Sequence, residues 1–127
     1  MPKMTDDTTL ARVHSMRDKF PDFQVDGILF SCMSSIRYLS GFTGSDGALV
    51  LGTDGAILLV DGRYTVQAVR EVRKIPVVQY SNKIQAIEQA VHDLGLKRIG
   101  FEASYVCVDT YQALTKRLRK SKLVPLG

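Results

Sequence analysis

The chain has 127 residues, 45% of them hydrophobic, and a formal charge of +4. That length fits a single domain with one core, and no apolar run approaches the ~20 residues of a membrane-spanning helix. Met1-Pro2-Lys3-Met4-Thr5-Asp6-Asp7 lacks the apolar centre of a signal peptide, so the sequence points to a cytoplasmic protein.

The charge is local. Lys116, Arg117, Arg119, Lys120 and Lys122 fall within Thr115 to Val124 with no acid among them, and the remainder is close to neutral. Cations suit a helix C-terminus. No aromatic residues are interleaved to stack bases, so no nucleic-acid partner is expected. Cys32 and Cys107 each have apolar neighbours and read as buried free thiols.

Taken in order, Leu10, Val13, Met16 and Phe20 make a helical stripe, with Thr8 or Thr9 as N-cap and Pro21 as the stop. Gly27 to Phe30 reads as a buried strand. Ser34 to Leu39 reads as a short helix ended by Gly41. Ala48 to Leu51 and Ala56 to Val60 flank Gly52-Thr53-Asp54-Gly55, the signal of an antiparallel hairpin.

A helix is predicted from about Arg63 to Arg73, with Tyr64, Ala68, Val69 and Val72 inward. Pro76 opens a strand from Val77 to Tyr80. Ser81 or Asn82 caps a helix carrying Ile84, Ile87, Val91 and Leu94, which Gly95 ends. Arg98 to Phe101 is a strand. Asp109 and Gln112 suggest a capping box for a helix with Tyr111, Leu114 and Leu118. Lys122 to Val124 is a last strand, placing a domain at 1–124 and a linker at 125–127. A hairpin among βα units implies an α/β fold: a mixed, mostly buried sheet of about five to six strands, with helices on both faces.

The chemistry is thin. His14 and His92 have no ligand-spaced partners, so no metal site is expected. Ser40-Gly41-Phe42-Thr43-Gly44-Ser45-Asp46-Gly47 is rich in glycine, but Gly44 directly precedes Ser45, which breaks the nucleophile-elbow pattern. Nor does the loop open a helix with Gly-Lys-Ser/Thr, as a phosphate loop does. Asp26, Asp46, Asp54 and Asp61 each precede glycine, which is turn chemistry. The chain holds no self-sufficient catalytic set, and its partners are expected on another domain or chain.

Three segments carry a resemblance. Ile36 to Gly47, Thr53-Asp54-Gly55-Ala56 and Val60-Asp61-Gly62-Arg63-Tyr64, followed by Gln67-Ala68, resemble the N-terminal domain of the creatinase/prolidase family, closest to Xaa-Pro aminopeptidases and Xaa-Pro dipeptidases. Ser35 stands where relatives often carry Asn, and Val60 where Thr is common. The resemblance implies a ribonuclease H-like motif. It also implies a separate C-terminal metallopeptidase domain, in which two divalent ions (Mn, Co or Zn), held by two Asp, one His and two Glu, activate water against the bond before proline.

On that footing this chain is a non-catalytic accessory domain. It is expected to contact its own catalytic domain, to join a homodimer or homotetramer, and to shape the site for a proline-containing peptide. The residues expected near substrate or at oligomer contacts are Arg37, Tyr38, Phe42, Thr43, Ser45, Asp46, Asp61, Arg63 and Tyr64, with the glycine loop as a flexible, hinged rim. Alternatives are a stand-alone protein-binding module, as in a histone-chaperone subunit, and a creatinase-like amidinohydrolase.

Overall fold

The computed structural model describes residues 6–127. The reading of the extreme N-terminus as lacking a signal segment rests largely on residues outside that range.

Helix α1 (Asp6–Arg17) begins ahead of the expected caps and ends before Pro21. Pro21 instead lies in the first turn of a second short helix, α2 (Phe20–Phe23). A missing N–H breaks no bond there, so proline starts this helix rather than stopping the previous one. Val13 and Phe20 from the predicted stripe are buried.

Strand β1 (Gly27–Phe30) is buried along its whole length, because it lies inside the sheet. It pairs antiparallel with β2 (Ala48–Gly52) and parallel with β5 (Arg98–Glu102). β3 (Ala56–Val60) closes the hairpin with β2, and β4 (Val77–Gln79) runs parallel beside β3. β6 (Lys122–Leu126) runs parallel to β5, giving a six-stranded mixed sheet in the order β4-β3-β2-β1-β5-β6. The hairpin closes through a bond from the Gly52 N–H to the Gly55 carbonyl at 2.7 Å. The left-handed residues among those described are Gln24, Gly41 and Gly95, so Asp54-Gly55 turns the chain without a positive φ.

The side-chain alternation of the strands separates two cores. Ile28, Phe30, Leu49, Leu51, Leu58 and Val60 face α1, α2, α3 (Met33–Ser40) and α4 (Thr65–Glu71). Leu29, Val50, Leu59, Ile99 and Phe101 face α5 (Lys83–Leu94) and α6 (Val108–Arg117). Helices therefore cover both faces, as the element order requires. α5 keeps its predicted caps: the Asn82 side chain accepts the Gln85 N–H, and Gly95 is left-handed at φ 65°.

Four local expectations change. A 3₁₀ turn (Gly62–Tyr64) precedes α4, and its three-residue period shifts the phase of that helix. Val69 lies about a quarter turn round the helix from Ala68 and is exposed (62%), while Ala68 and Val72 go inward. The Asp109–Gln112 capping box is replaced by a helix that starts at Val108 with Cys107 at the cap position. Cys107 is exposed and Cys32 only half-buried, both as free thiols, since both lie where the chain leaves the sheet. β6 runs past Val124, and Pro125, expected to open a linker, pairs in register with Phe101. An edge strand tolerates proline because one side of its backbone has no ladder to serve.

Candidate functional site

β2 runs antiparallel to β3, and β3 runs parallel to β4. The loop entering β2, the turn leaving β3 and the turn leaving β4 therefore meet at one end of the sheet. That end carries most of the predicted site residues.

Gly41 adopts φ 84° at the C-cap of α3 and donates its N–H to the Arg37 carbonyl. A residue with a side chain is strained in that region. The buried Ser40 hydroxyl donates to the Ile36 carbonyl at 2.6 Å and accepts the Phe42 N–H at 3.2 Å. Phe42 then turns fully into the core. Its ring meets Tyr64 edge-to-face, with centroids 5.9 Å apart. Gly44 lies on that ring: a Cβ there would fall 2.2 Å from Phe42 Cζ.

The loop is pinned at three places. The Thr43 N–H and hydroxyl donate to the Glu71 carboxylate at 2.9 and 2.6 Å, and Gln67 Nε2 donates to Thr43 Oγ1 at 2.9 Å. The Ser45 hydroxyl bonds the Tyr64 hydroxyl. Asp46 Oδ1 accepts Lys83 Nζ at 3.0 Å and the Gly47 N–H at 2.9 Å, while Oδ2 accepts the Tyr80 hydroxyl at 3.2 Å. These bonds set the loop's shape, and among its glycines Gly41 alone uses a conformation reserved for that residue.

Electrostatics follow the same contacts. Partial burial pushes the Asp46 carboxyl up, but the hydrogen bond and charge of Lys83, with Tyr80 and the Gly47 N–H, outweigh it and hold Asp46 below its ordinary value. Tyr80 rises from 10 to about 12, through burial first and the Asp46 charge second. The Asp46 contribution to stability is therefore present above the unfolded carboxylate value of ~4 and lost as pH falls through the lower folded value. Asp46→Asn should flatten that part of the acid limb in urea titrations at stepped pH. The Tyr80 contribution is present below pH 10 and lost as pH rises toward about 12. Tyr80→Phe should remove one late-titrating phenol from the absorbance titration.

Asp61 Oδ1 accepts the Arg63 N–H, and its carboxylate takes Nε and Nη2 of the same arginine, the shortest contact being 2.8 Å. The Arg63 bond holds Asp61 low, and Asp61 in turn raises Arg63. The donor edge that recognises carboxylates is thus already occupied.

Phe42, Thr43, Ser45, Asp46, Asp61, Arg63 and Tyr64 belong to this end of the fold. Tyr38 does not join them. It packs under the Arg12 guanidinium, 4.2 Å from the ring centroid, on the seam between α1 and α3. Arg37 is exposed on the last turn of α3. Sequence reasoning missed Gln67, Glu71, Tyr80 and Lys83. The i, i+4 spacing of Gln67 and Glu71 hinted at a pair, but nothing local tied it to Thr43.

The arrangement braces a loop, with Thr43, Ser45 and Asp46 each held by side chains from other elements. The Ser45 partner is a phenol rather than a base. Among the described residues no three His, Cys, Asp or Glu side chains are placed to hold a metal ion. The described donors are not arranged as a dinuclear centre needs.

Comparison with known proteins agrees with the fold. The "Uncharacterized peptidase YqhT" of Bacillus subtilis is 32% identical over 117 residues, covering 91% of this chain and 33% of that protein. The Xaa-Pro dipeptidase from Bacillus anthracis superposes with a TM-score of 0.89 at 26% identity, over 94% of this chain and 34% of that one. The isolated N-terminal domain of the cytoplasmic peptidase PepQ from Mycobacterium tuberculosis H37Rv gives 0.85 at 31% identity, over 92% and 93%. The chain thus spans about a third of the first two proteins and nearly all of the isolated domain. The Creatinase/Prolidase N-terminal domain matches residues 12–127, and the chain belongs to that family.

Proposed function

We propose that this chain is the non-catalytic N-terminal domain of a proline-specific metallopeptidase, and that its braced loop forms part of the rim of an active site carried by a separate catalytic domain. The observation that supports this reading is the three-point pinning of Thr43, Ser45 and Asp46. A loop that only joined a helix to a strand would not need side chains from α4, the 3₁₀ turn and α5. Pre-ordering matters where a surface must meet a second one without paying to order itself.

In this reading the partners are the protein's own metal-bearing catalytic domain, a proline-containing peptide and further copies of the protein, in the cytoplasm. Arg63 supports the rim rather than clamping a substrate carboxylate, because Asp61 occupies its Nε and Nη2 donors. No described helix is long and apolar enough to cross a membrane.

The chain alone, supplied with Mn²⁺ and Xaa-Pro peptides, should release no proline, and clear turnover would overturn the proposal. Reading the coding sequence beyond Gly127 is the second check. Two Asp, one His and two Glu in the continuing domain support the peptidase. A stop, or replaced ligands, moves the assignment to a stand-alone binding module.

A further inference from the structure

The hairpin end of the sheet, opposite the proposed rim, holds a cleft of about 530 Å³, a volume typical of small-molecule sites. It begins with a proline. The Leu58 N–H donates to the Pro76 carbonyl at 2.9 Å, so the even-numbered residues of β3 turn their backbone groups toward β4. The next bond of a parallel ladder would run from residue 76 to the Ala56 carbonyl, and Pro76 has no N–H to give. The β3–β4 pairing accordingly starts at Leu58 and Val77, although β3 itself starts at Ala56. Among the described residues the Ala56 N–H and carbonyl have no backbone partner on that side. The edge of the sheet is notched there.

The lining of the notch is largely apolar. Val13 from α1 and Leu39 from α3 are its buried part. Ile57, Ile75 and Leu94 are half-buried, and Leu10 is 39% exposed.

Charges of both signs share the cleft. Arg17 donates Nε and Nη2 to the Gly52 and Gly55 carbonyls at 2.8 and 3.2 Å. Burial lowers the Arg17 guanidinium, and the Asp54 charge partly offsets that. Asp54 and Lys74 are exposed, line the same cleft and make no ion pair among the described residues. A plain hydrocarbon would cover the apolar lining but leave the Ala56 amide without a partner. An apolar anion would answer Lys74 and leave Asp54 unmatched.

We propose that the notch binds a short apolar peptide in its zwitterionic form, with its amide against the open Ala56 backbone, its side chains on Leu10, Ile57 and Ile75, its ammonium toward Asp54 and its carboxylate toward Lys74. The notch lies at the end of the sheet away from the braced loop and is independent of the function assigned to that loop.

The probe is leucyl-leucine, titrated into the ¹⁵N-labelled chain; a related N-terminal domain of nearly the same extent has been solved in isolation. Amide shifts should concentrate on Leu10, Ala56, Ile57 and Lys74. N-acetylation of the probe and amidation of its C-terminus should each weaken binding about threefold, as expected for exposed ion pairs. Asp54→Asn should abolish the sensitivity to N-acetylation alone, and Lys74→Gln the sensitivity to amidation alone. Both side chains are exposed, so an unchanged thermal midpoint certifies the fold of each variant. Shifts elsewhere, no binding at about 10 mM dipeptide, or equal binding of glycyl-glycine or of the doubly capped dipeptide would each overturn the proposal. Octanoate binding as tightly as leucyl-leucine would overturn it in favour of a simple apolar anion. Self-association of the chain that produces the same shifts without peptide would overturn it in favour of a second copy.

Discussion

Phe42→Ala should lower the unfolding free energy by about 4 kcal/mol, read as a shift of the urea midpoint at unchanged slope. Phe42 is fully buried, and its loss removes both the floor under Gly44 and the edge-to-face partner of Tyr64. Against a total stability of about 5–15 kcal/mol, that is a large fraction. Phe42→Leu should cost less, about 1.5 kcal/mol.

Gly44→Ala supplies the control. In the wild type its methyl collides with the Phe42 ring, so the substitution destabilises. In the Phe42→Leu background the collision is relieved, and the two changes should fall short of additive. Strict additivity would mean that the loop is not seated on the ring.

Glu102→Ala is the second large effect, expected at about 3 kcal/mol. Glu102 Oε1 accepts the Ser31 and Cys32 N–H groups at 2.6 and 2.8 Å, and Oε2 accepts the Ser35 hydroxyl at 2.7 Å. One carboxylate at the end of β5 thus satisfies the backbone entering α3, where the orphan N–H groups and the helix dipole both favour an anion. Its removal strands part-buried donors, and bonds to a charged group are the costly ones to lose. Glu102→Gln keeps one oxygen and should lose about half as much. A loss under about 0.5 kcal/mol for alanine would show that water replaces the carboxylate without penalty.

Glu102 also shows where sequence reasoning stops. It lies 67 residues from Ser35 and 71 from Ser31, and no local pattern marks it. Only the parallel pairing of β1 with β5 brings the two strand ends side by side. The same holds for Lys83 and Tyr80, which reach Asp46 across 37 and 34 residues. Arg63 and Asp61, two residues apart, are legible as a pair because the turn between them is local.

The misplaced details have a common cause. Pro21, Val69 and the Asp109–Gln112 pair belong to patterns that fit their residues equally well one position or one turn away. Which fit is realised depends on where the helix starts and which of its sides meets the sheet.

By itself the sequence determined what rests on period and on nearest neighbours: the alternation of apolar strands and amphipathic helices, the hairpin, a cap at Ser81 or Asn82, the glycine stops at Gly41 and Gly95, and the family signature from Ile36 to Ala68. The tertiary structure alone decided the strand order, the separation of two cores across one sheet, and the bracing of the Thr43 to Gly47 loop. These rest on contacts between residues far apart in the chain, and side-chain period carries no information about which distant strand or helix will supply the partner.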